Sequence, residues 1–123
     1  IEFIDFNSFN PLSSLKELIL SQNNLEFLNS TMLKGANELE LLNLSENNIE
    51  IIESESFKNT KYLKYLIINR NLVKIIQENV FKKFYVIEEL TLSDQKIEYL
   101  DKKSFNGNEI LKRIYLENNL INE

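Results

Sequence analysis

Residues 39–52 read LELLNLSENNIEII, and the same frame of apolar residues returns along the whole chain. Copies begin at Leu15, Leu39, Leu63, Ile87 and Leu111, each 24 residues after the last with no insertion. In the quoted copy the apolar positions are Leu39, Leu42, Leu44, Ile49 and Ile52. On the N-terminal side they recur as Leu15, Leu18, Leu20, Leu25 and Leu28. On the other side come Leu63, Leu66, Ile68, Val73 and Ile76, then Ile87, Leu90, Leu92, Ile97 and Leu100. The last copy keeps Leu111, Ile114, Leu116 and Ile121. A late aromatic holds one fixed place, at Phe57, Phe81 and Phe105, with Leu33 in its stead once; extended backwards, the frame takes in Ile1, Ile4 and Phe9. A fixed period of this length marks coils that each lack a core of their own and bury their apolar face against neighbours. Within each copy the x-L-x-L alternation has the period of a short strand with alternate residues inward. Stacking such strands in parallel sets them about 4.8 Å apart.

The copies match L-x-x-L-x-L-x-x-N-x-L, and on these residues the chain resembles the leucine-rich repeat family over nearly its whole length. Its 24-residue form with a late Phe is similar to that of extracellular members such as Toll-type receptor ectodomains, Slit and insect leucine-rich immune proteins. The resemblance implies an α/β-class solenoid, a horseshoe with a concave parallel β-sheet and mostly irregular or 3₁₀ return segments on the convex side. One domain would span 1–123, with partial copies at 1–14 and 111–123 around full copies at 15–38, 39–62, 63–86 and 87–110. It also implies a structural role for Asn23, Asn47, Asn71 and Asn119, which occupy the turn just after each strand. A buried turn needs partners for its backbone N–H and C=O groups, and a short side-chain amide supplies them. The fourth copy carries Gln95 there, whose extra methylene predicts a local shift of that turn.

The frame enters in mid-copy at Ile1 and leaves in mid-copy at Glu123. Solenoids end in caps with a polar outer face. Ile1, Ile4, Phe9 and Leu12 at one end, and Leu116, Leu120 and Ile121 at the other, would instead sit on bare core edges. The expectation is a segment of a longer protein, with homodimerisation through the uncapped ends as the other outcome, because open sheet edges invite pairing.

Composition narrows the chemistry. There is no cysteine and no histidine, which removes disulfides, thiolate and imidazole metal sites, and Cys or His catalytic dyads. Neither glycine, Gly35 or Gly107, belongs to a phosphate-cradling motif. Carboxylate pairs such as Glu53 with Glu55, or Glu88 with Glu89, sit on surface positions of the repeat and read as solvated charge. Calcium binding has no loop motif behind it. The chain is therefore expected to be no enzyme and to use no cofactor or metal. Net charge is −5, and the basic residues are scattered, Lys82-Lys83 and Lys102-Lys103 falling in return segments. Nucleic acid or an anionic membrane would need a gathered positive face, so neither is an expected partner. No apolar run reaches the length of a membrane span, so direct insertion is not expected either.

What remains is binding by surface. Residues between the buried leucines face the concave side, one column being Glu17, Leu41, Tyr65, Glu89 and Arg113 and the next Ile19, Asn43, Ile67, Thr91 and Tyr115. Beyond them, Gln22, Glu46, Arg70, Asp94 and Asn118 follow in register. Ile19, Leu41, Tyr65 and Ile67 would form an apolar patch, with Arg70, Glu89, Arg113 and Tyr115 as further partner contacts. Large apolar residues beside Tyr and Arg are the composition of protein interfaces. The plainer reading is β propensity, since such residues pack well on a pleated surface. Two glycosylation sequons occur, at Asn29 and Asn43. Asn29 lies in a return segment with room for a glycan, whereas one on Asn43 would obstruct the concave patch. The reading is a non-catalytic recognition module of an extracellular or cell-surface protein, an immune one on the resemblance. It would bind a protein ligand or a second leucine-rich chain. The alternative is a structural role in assembling or dimerising a larger protein.

Overall fold

The computed structural model describes residues 1–82 and 84–122, so Lys83 and Glu123 lie outside the described residues. Five three-residue strands, β1 (Glu17–Ile19), β3 (Leu41–Asn43), β5 (Tyr65–Ile67), β7 (Glu89–Thr91) and β9 (Arg113–Tyr115), form one parallel sheet in the order β1-β3-β5-β7-β9. Each pairs with the next in a register of one copy, as Leu42 with Leu66 and Leu66 with Leu90. The middle residue of β3, β5 and β7 is buried and its neighbours are half-buried, the pattern that a strand with one inward face produces.

Between sheet strands the chain turns outward through a residue in left-handed conformation. Gln22, Glu46, Arg70, Asp94 and Asn118 all have φ of 54 to 57°. A second set of two-residue strands then runs along the outer side: β2 (Phe27–Leu28), β4 (Ile51–Ile52), β6 (Ile75–Ile76) and β8 (Tyr99–Leu100). They pair as β2-β4 and β6-β8. The remaining return segments are single hydrogen-bonded turns, such as Ser56 N–H to Glu53 C=O (3.0 Å) and Thr60 N–H to Phe57 C=O (3.1 Å). No helix occurs among the described residues. The return segments are thus irregular, as expected, with the outer strands an addition that sequence reading did not supply.

The core is one continuous column. Leu39, Leu42, Leu63, Leu66, Ile68, Val73 and Ile76 are fully buried, and Leu90 and Ile97 extend it. Burying each such side chain is worth about 1.5–3 kcal/mol, so a single Leu66→Ala, at the centre, would cost roughly 2–5 kcal/mol. The late aromatic fills the outer side, with Phe57 and Phe81 ring centroids 6.2 Å apart and Phe81 and Phe105 5.6 Å apart. Phe84 joins them at 5.0 Å from Phe57, in a slot where other copies carry smaller residues such as Ala36 and Thr60. Gly35 lets two coils approach: at φ of 96° a Cβ there would lie 2.5 Å from the Asn10 backbone.

The amide ladder links coil to coil. The Asn47 side chain accepts from Leu25 N–H (3.0 Å) and donates to Leu20 C=O (2.9 Å) in the preceding coil, and to Leu44 C=O (3.1 Å) in its own. Asn71 repeats this with Ile49, Leu44 and Ile68, and Asn119 with Ile97, Leu92 and Leu116. Asn23 donates to Leu20 C=O and Ser21 C=O.

The turn at Gln95 differs from the others in its hydrogen bonds, while Asp94 has a φ of 54°, close to the 55 to 57° of its four counterparts. Gln95 retains both bonds to the preceding coil, accepting from Val73 N–H (3.2 Å) and donating to Ile68 C=O. What it lacks are the bonds within its own coil, to Leu92 C=O and Ser93 C=O, that Asn47 and Asn71 make to the equivalent carbonyls. The longer side chain thus keeps the coil-to-coil bonds and gives up those within its own coil.

Candidate recognition surface

The sheet register brings the concave columns together as rows of in-register side chains. Leu41 stands beside Tyr65, Tyr65 beside Glu89, and Glu89 beside Arg113. In the neighbouring column Ile67 lies between Asn43 and Thr91, and Tyr115 follows Thr91. Leu41, Tyr65, Ile67, Glu89 and Tyr115 are half-buried, while Ile19 is 57% exposed and Arg113 is exposed. Leu41, Tyr65 and Ile67 are therefore contiguous, and Ile19 is separated from Ile67 along its column by Asn43. Arg113 is set off from Tyr65 by Glu89 and pairs with that carboxylate: its Nε is 2.7 Å from Glu89 Oε2, which raises the guanidinium pKa. Arg70 lies beyond the strand, in the left-handed turn, 3.7 Å from Glu46 and 4.0 Å from Asp94.

One edge of this surface carries a ladder that sequence reading missed. Lys16, Glu40, Lys64, Glu88 and Lys112 occupy one position of successive copies and alternate in sign. Glu40 is 2.7 Å from Lys64 and 3.3 Å from Lys16, and Lys112 is 2.8 Å from Glu88. The hydrogen bond from Lys64, then that from Lys16, holds the Glu40 carboxyl below the ordinary carboxylate range. Lys112 does the same for Glu88, and Glu40 in turn raises the Lys64 ammonium. The signal was present as sign alternation in the 24-residue frame. A shift by one coil would place like charges in contact, so the ladder favours this stacking, although such exposed pairs individually add little stability. Further along the edge, Ser93 Oγ donates to Glu117 at 2.6 Å and lowers that carboxyl.

The two sequon asparagines sit on different sides. Asn43 ends β3 on the concave sheet, its side-chain oxygen accepting from Ser45 N–H (3.0 Å) and Ser45 Oγ (2.7 Å). Asn29 follows β2 in the return segment and accepts from Thr31 N–H (2.9 Å) and Thr31 Oγ (2.8 Å).

Comparison with known proteins accords with this architecture. A family model described as BspA type leucine rich repeat region matches residues 29–122 in six copies, and a second described as leucine rich repeat matches residues 1–49. The chain belongs to the leucine-rich repeat family. No curated protein sequence matches it significantly. Among solved structures, this leucine-rich repeat chain is similar to an internalin (inlF) from Listeria monocytogenes, with a TM-score of 0.73 at 20% identity. The likeness covers 99% of this chain and 34% of that one. A TLR13–ssRNA13 complex aligns with a TM-score of 0.52 at 18% identity, over 97% of this chain and 24% of that one. At such identities the likeness is one of fold, and the leucine-rich repeat chain spans only about a third of one structure and a quarter of the other.

Proposed function

We propose that this chain is a non-catalytic recognition module that binds a protein, or a second leucine-rich repeat chain, through its concave face. The observation carrying this reading is the adjacency of Leu41, Tyr65 and Ile67 on the open face of the sheet, followed by the Glu89–Arg113 pair. A half-exposed Tyr among aliphatic residues, with a charged pair at its margin, is the layout of an interface with an apolar centre and polar rim. A rigid parallel sheet presents these groups in one geometry before the partner arrives, which lowers the ordering cost of binding. The contact set extends to Ile19, Arg70 and Tyr115. Although one structural relative is a complex with single-stranded RNA, the cations here favour a protein partner. On the concave sheet and its edge, Lys16, Lys64, Lys112 and Arg113 are all engaged by carboxylates, which disfavours phosphate binding there.

An extracellular or cell-surface setting, with an immune or adhesive parent protein, is the further part of the proposal. It is supported by the repeat form and by the two sequons. Affinity capture from extracellular fluid or cell surface, comparing wild type with Leu41→Glu,Tyr65→Glu, tests the reading. A partner held by wild type and lost by a variant of unchanged circular dichroism is expected, with a loss of at least about 2 kcal/mol, or some 30-fold. Equal capture by both would overturn the concave site. Capture of further copies of this chain alone would replace recognition by assembly.

A further inference from the structure

The outer side carries a feature that the concave reading does not use. Phe3, Phe27, Ile51, Ile75 and Tyr99 occupy one position of five successive copies and are 65%, 44%, 61%, 52% and 54% exposed. Phe27 pairs in register with Ile51, and Ile75 with Tyr99. These are not core residues that fell short of burial, since the next residue of β2, β4 and β6, Leu28, Ile52 or Ile76, points inward and is buried, and Leu100 of β8 is half-buried. Side chains of this size present about 150–250 Å² when free, so the stripe exposes on the order of 500 Å². That is the size of the largest apolar patches on monomeric proteins, which are commonly functional.

The stripe is interrupted by a groove. The outer strands pair as β2-β4 and β6-β8, with no pairing of β4 to β6. Glu53 N–H bonds Leu28 C=O (3.1 Å) and Asp101 N–H bonds Ile76 C=O (2.9 Å), but no equivalent bond joins Gln77 to Ile52 among the described residues. The sequence differs at this point in Val80. Ser56 and Ser104 hold the same slot in the copies before and after, and their hydroxyls reach Leu28 C=O (2.8 Å) and Ile76 C=O (3.5 Å). Valine has no such donor. A groove of about 710 Å³ opens between Ile51 and Ile75, room for several side chains.

Charge decides the occupant. Glu2, Glu26 and Glu50 immediately precede the first three stripe residues, and Glu53 and Glu55 border the groove. None of these five carboxylates has an ion-pair partner among the described residues, unlike those of the neutralised ladder on the concave edge. Lys74 is the one cation lining the groove among the described residues. We infer that this stripe is a second docking surface, and that its occupant is a cationic amphipathic helix lying along the solenoid axis. Coils stack about 4.8 Å apart, while a helix rises 5.4 Å per turn, so one apolar residue per turn can follow one stripe residue per coil. An extended strand would return to the same face only every ~6.7 Å and fall out of step. Lysines or arginines along one flank of the helix would meet the unpaired glutamates. The stripe falls below the roughly 800 Å² per partner that folded proteins bury in a standard interface, which suits a segment better than a second copy.

Fluorescence anisotropy with a labelled 18-residue Leu/Lys peptide having a single apolar face tests this, against a scrambled peptide of the same composition. The amphipathic peptide is expected to bind at least tenfold more tightly than the scrambled one. Ile51→Ser,Ile75→Ser should weaken it at least tenfold, with circular dichroism unchanged because both side chains are exposed. Glu26→Gln,Glu50→Gln should weaken it severalfold and flatten its salt dependence, whereas Leu41→Glu,Tyr65→Glu should leave it unaltered. Equal binding of the two peptides, or binding indifferent to Ile51→Ser,Ile75→Ser, would overturn the inference. So would a sedimenting dimer that Ile51→Ser,Ile75→Ser dissociates, since the stripe would then belong to a second copy.

Discussion

Gln95→Asn is expected to stabilise the protein, although it removes a buried methylene from a turn that already closes. The turn backbone at Asp94 has the same left-handed φ as its four counterparts, so an asparagine at 95 would enter a conformation already suited to it. It would keep the two bonds to the preceding coil and regain the bond to Leu92 C=O that Asn47 and Asn71 make to their own leucine and isoleucine carbonyls. One neutral buried hydrogen bond contributes about 1 kcal/mol net, within a range of roughly 0.5–1.5. The shorter side chain also loses less rotamer freedom, worth up to ~0.5 kcal/mol. Against this stands the lost methylene burial, at most about 0.8 kcal/mol. The balance is a gain of roughly 0.5–1 kcal/mol, which for a domain of this size raises Tm by about 2–4 °C. Urea and thermal unfolding followed by circular dichroism read it directly. The reverse change, Asn71→Gln, should cost a similar amount. Asn71→Ala should cost about 3 kcal/mol, because Ile49 N–H would be left buried without its acceptor. A Gln95→Asn variant less stable than wild type would refute the reasoning, since Gln would then be the better residue for that coil.

Two further outcomes follow from the charges and the sequons. Glu40 and Glu88 have folded pKa values below the ordinary 4.5, so their stabilisation is complete above that pH and is lost as pH falls through the lowered values. The unfolding midpoint should therefore drop below about pH 4.5, and Glu40→Gln,Glu88→Gln should show a shallower acid decline measured by urea titration across pH 2–7. In material secreted by a eukaryotic host, mass loss on enzymatic deglycosylation should map to Asn29 and not to Asn43. A glycan on Asn43 would cover Leu41 and Tyr65 and count against the concave site.

The coils were legible because each buried residue is fixed twice, by the period of the copy and by the alternation within the strand. Leu42, Leu66 and Leu90 satisfy both and are all buried. The outer stripe obeys the same period, but Ile51 and Ile75 are the residue types of the core, and type alone does not separate an outward isoleucine from an inward one. The frame already took Ile52 and Ile76 as its apolar positions, but it gave no reason to gather their exposed neighbours Ile51 and Ile75 into one row along the outer side. That Gln95 departs from the ladder was legible in the sequence, but which of its bonds it gives up needed the stacked coils to be placed. The columns of the concave surface follow directly from the frame. The lysine–glutamate ladder on its edge needed the neighbouring strand to be placed before its alternating signs had a meaning.

The most direct test of the recognition reading is site-specific photo-crosslinking with a benzophenone amino acid at Tyr65, and separately at Lys58 on the return side. The account expects a discrete heterologous protein to crosslink from position 65, with no such adduct from position 58. Adducts from position 58 alone, or a product at 65 consisting only of this chain joined to itself, would contradict it.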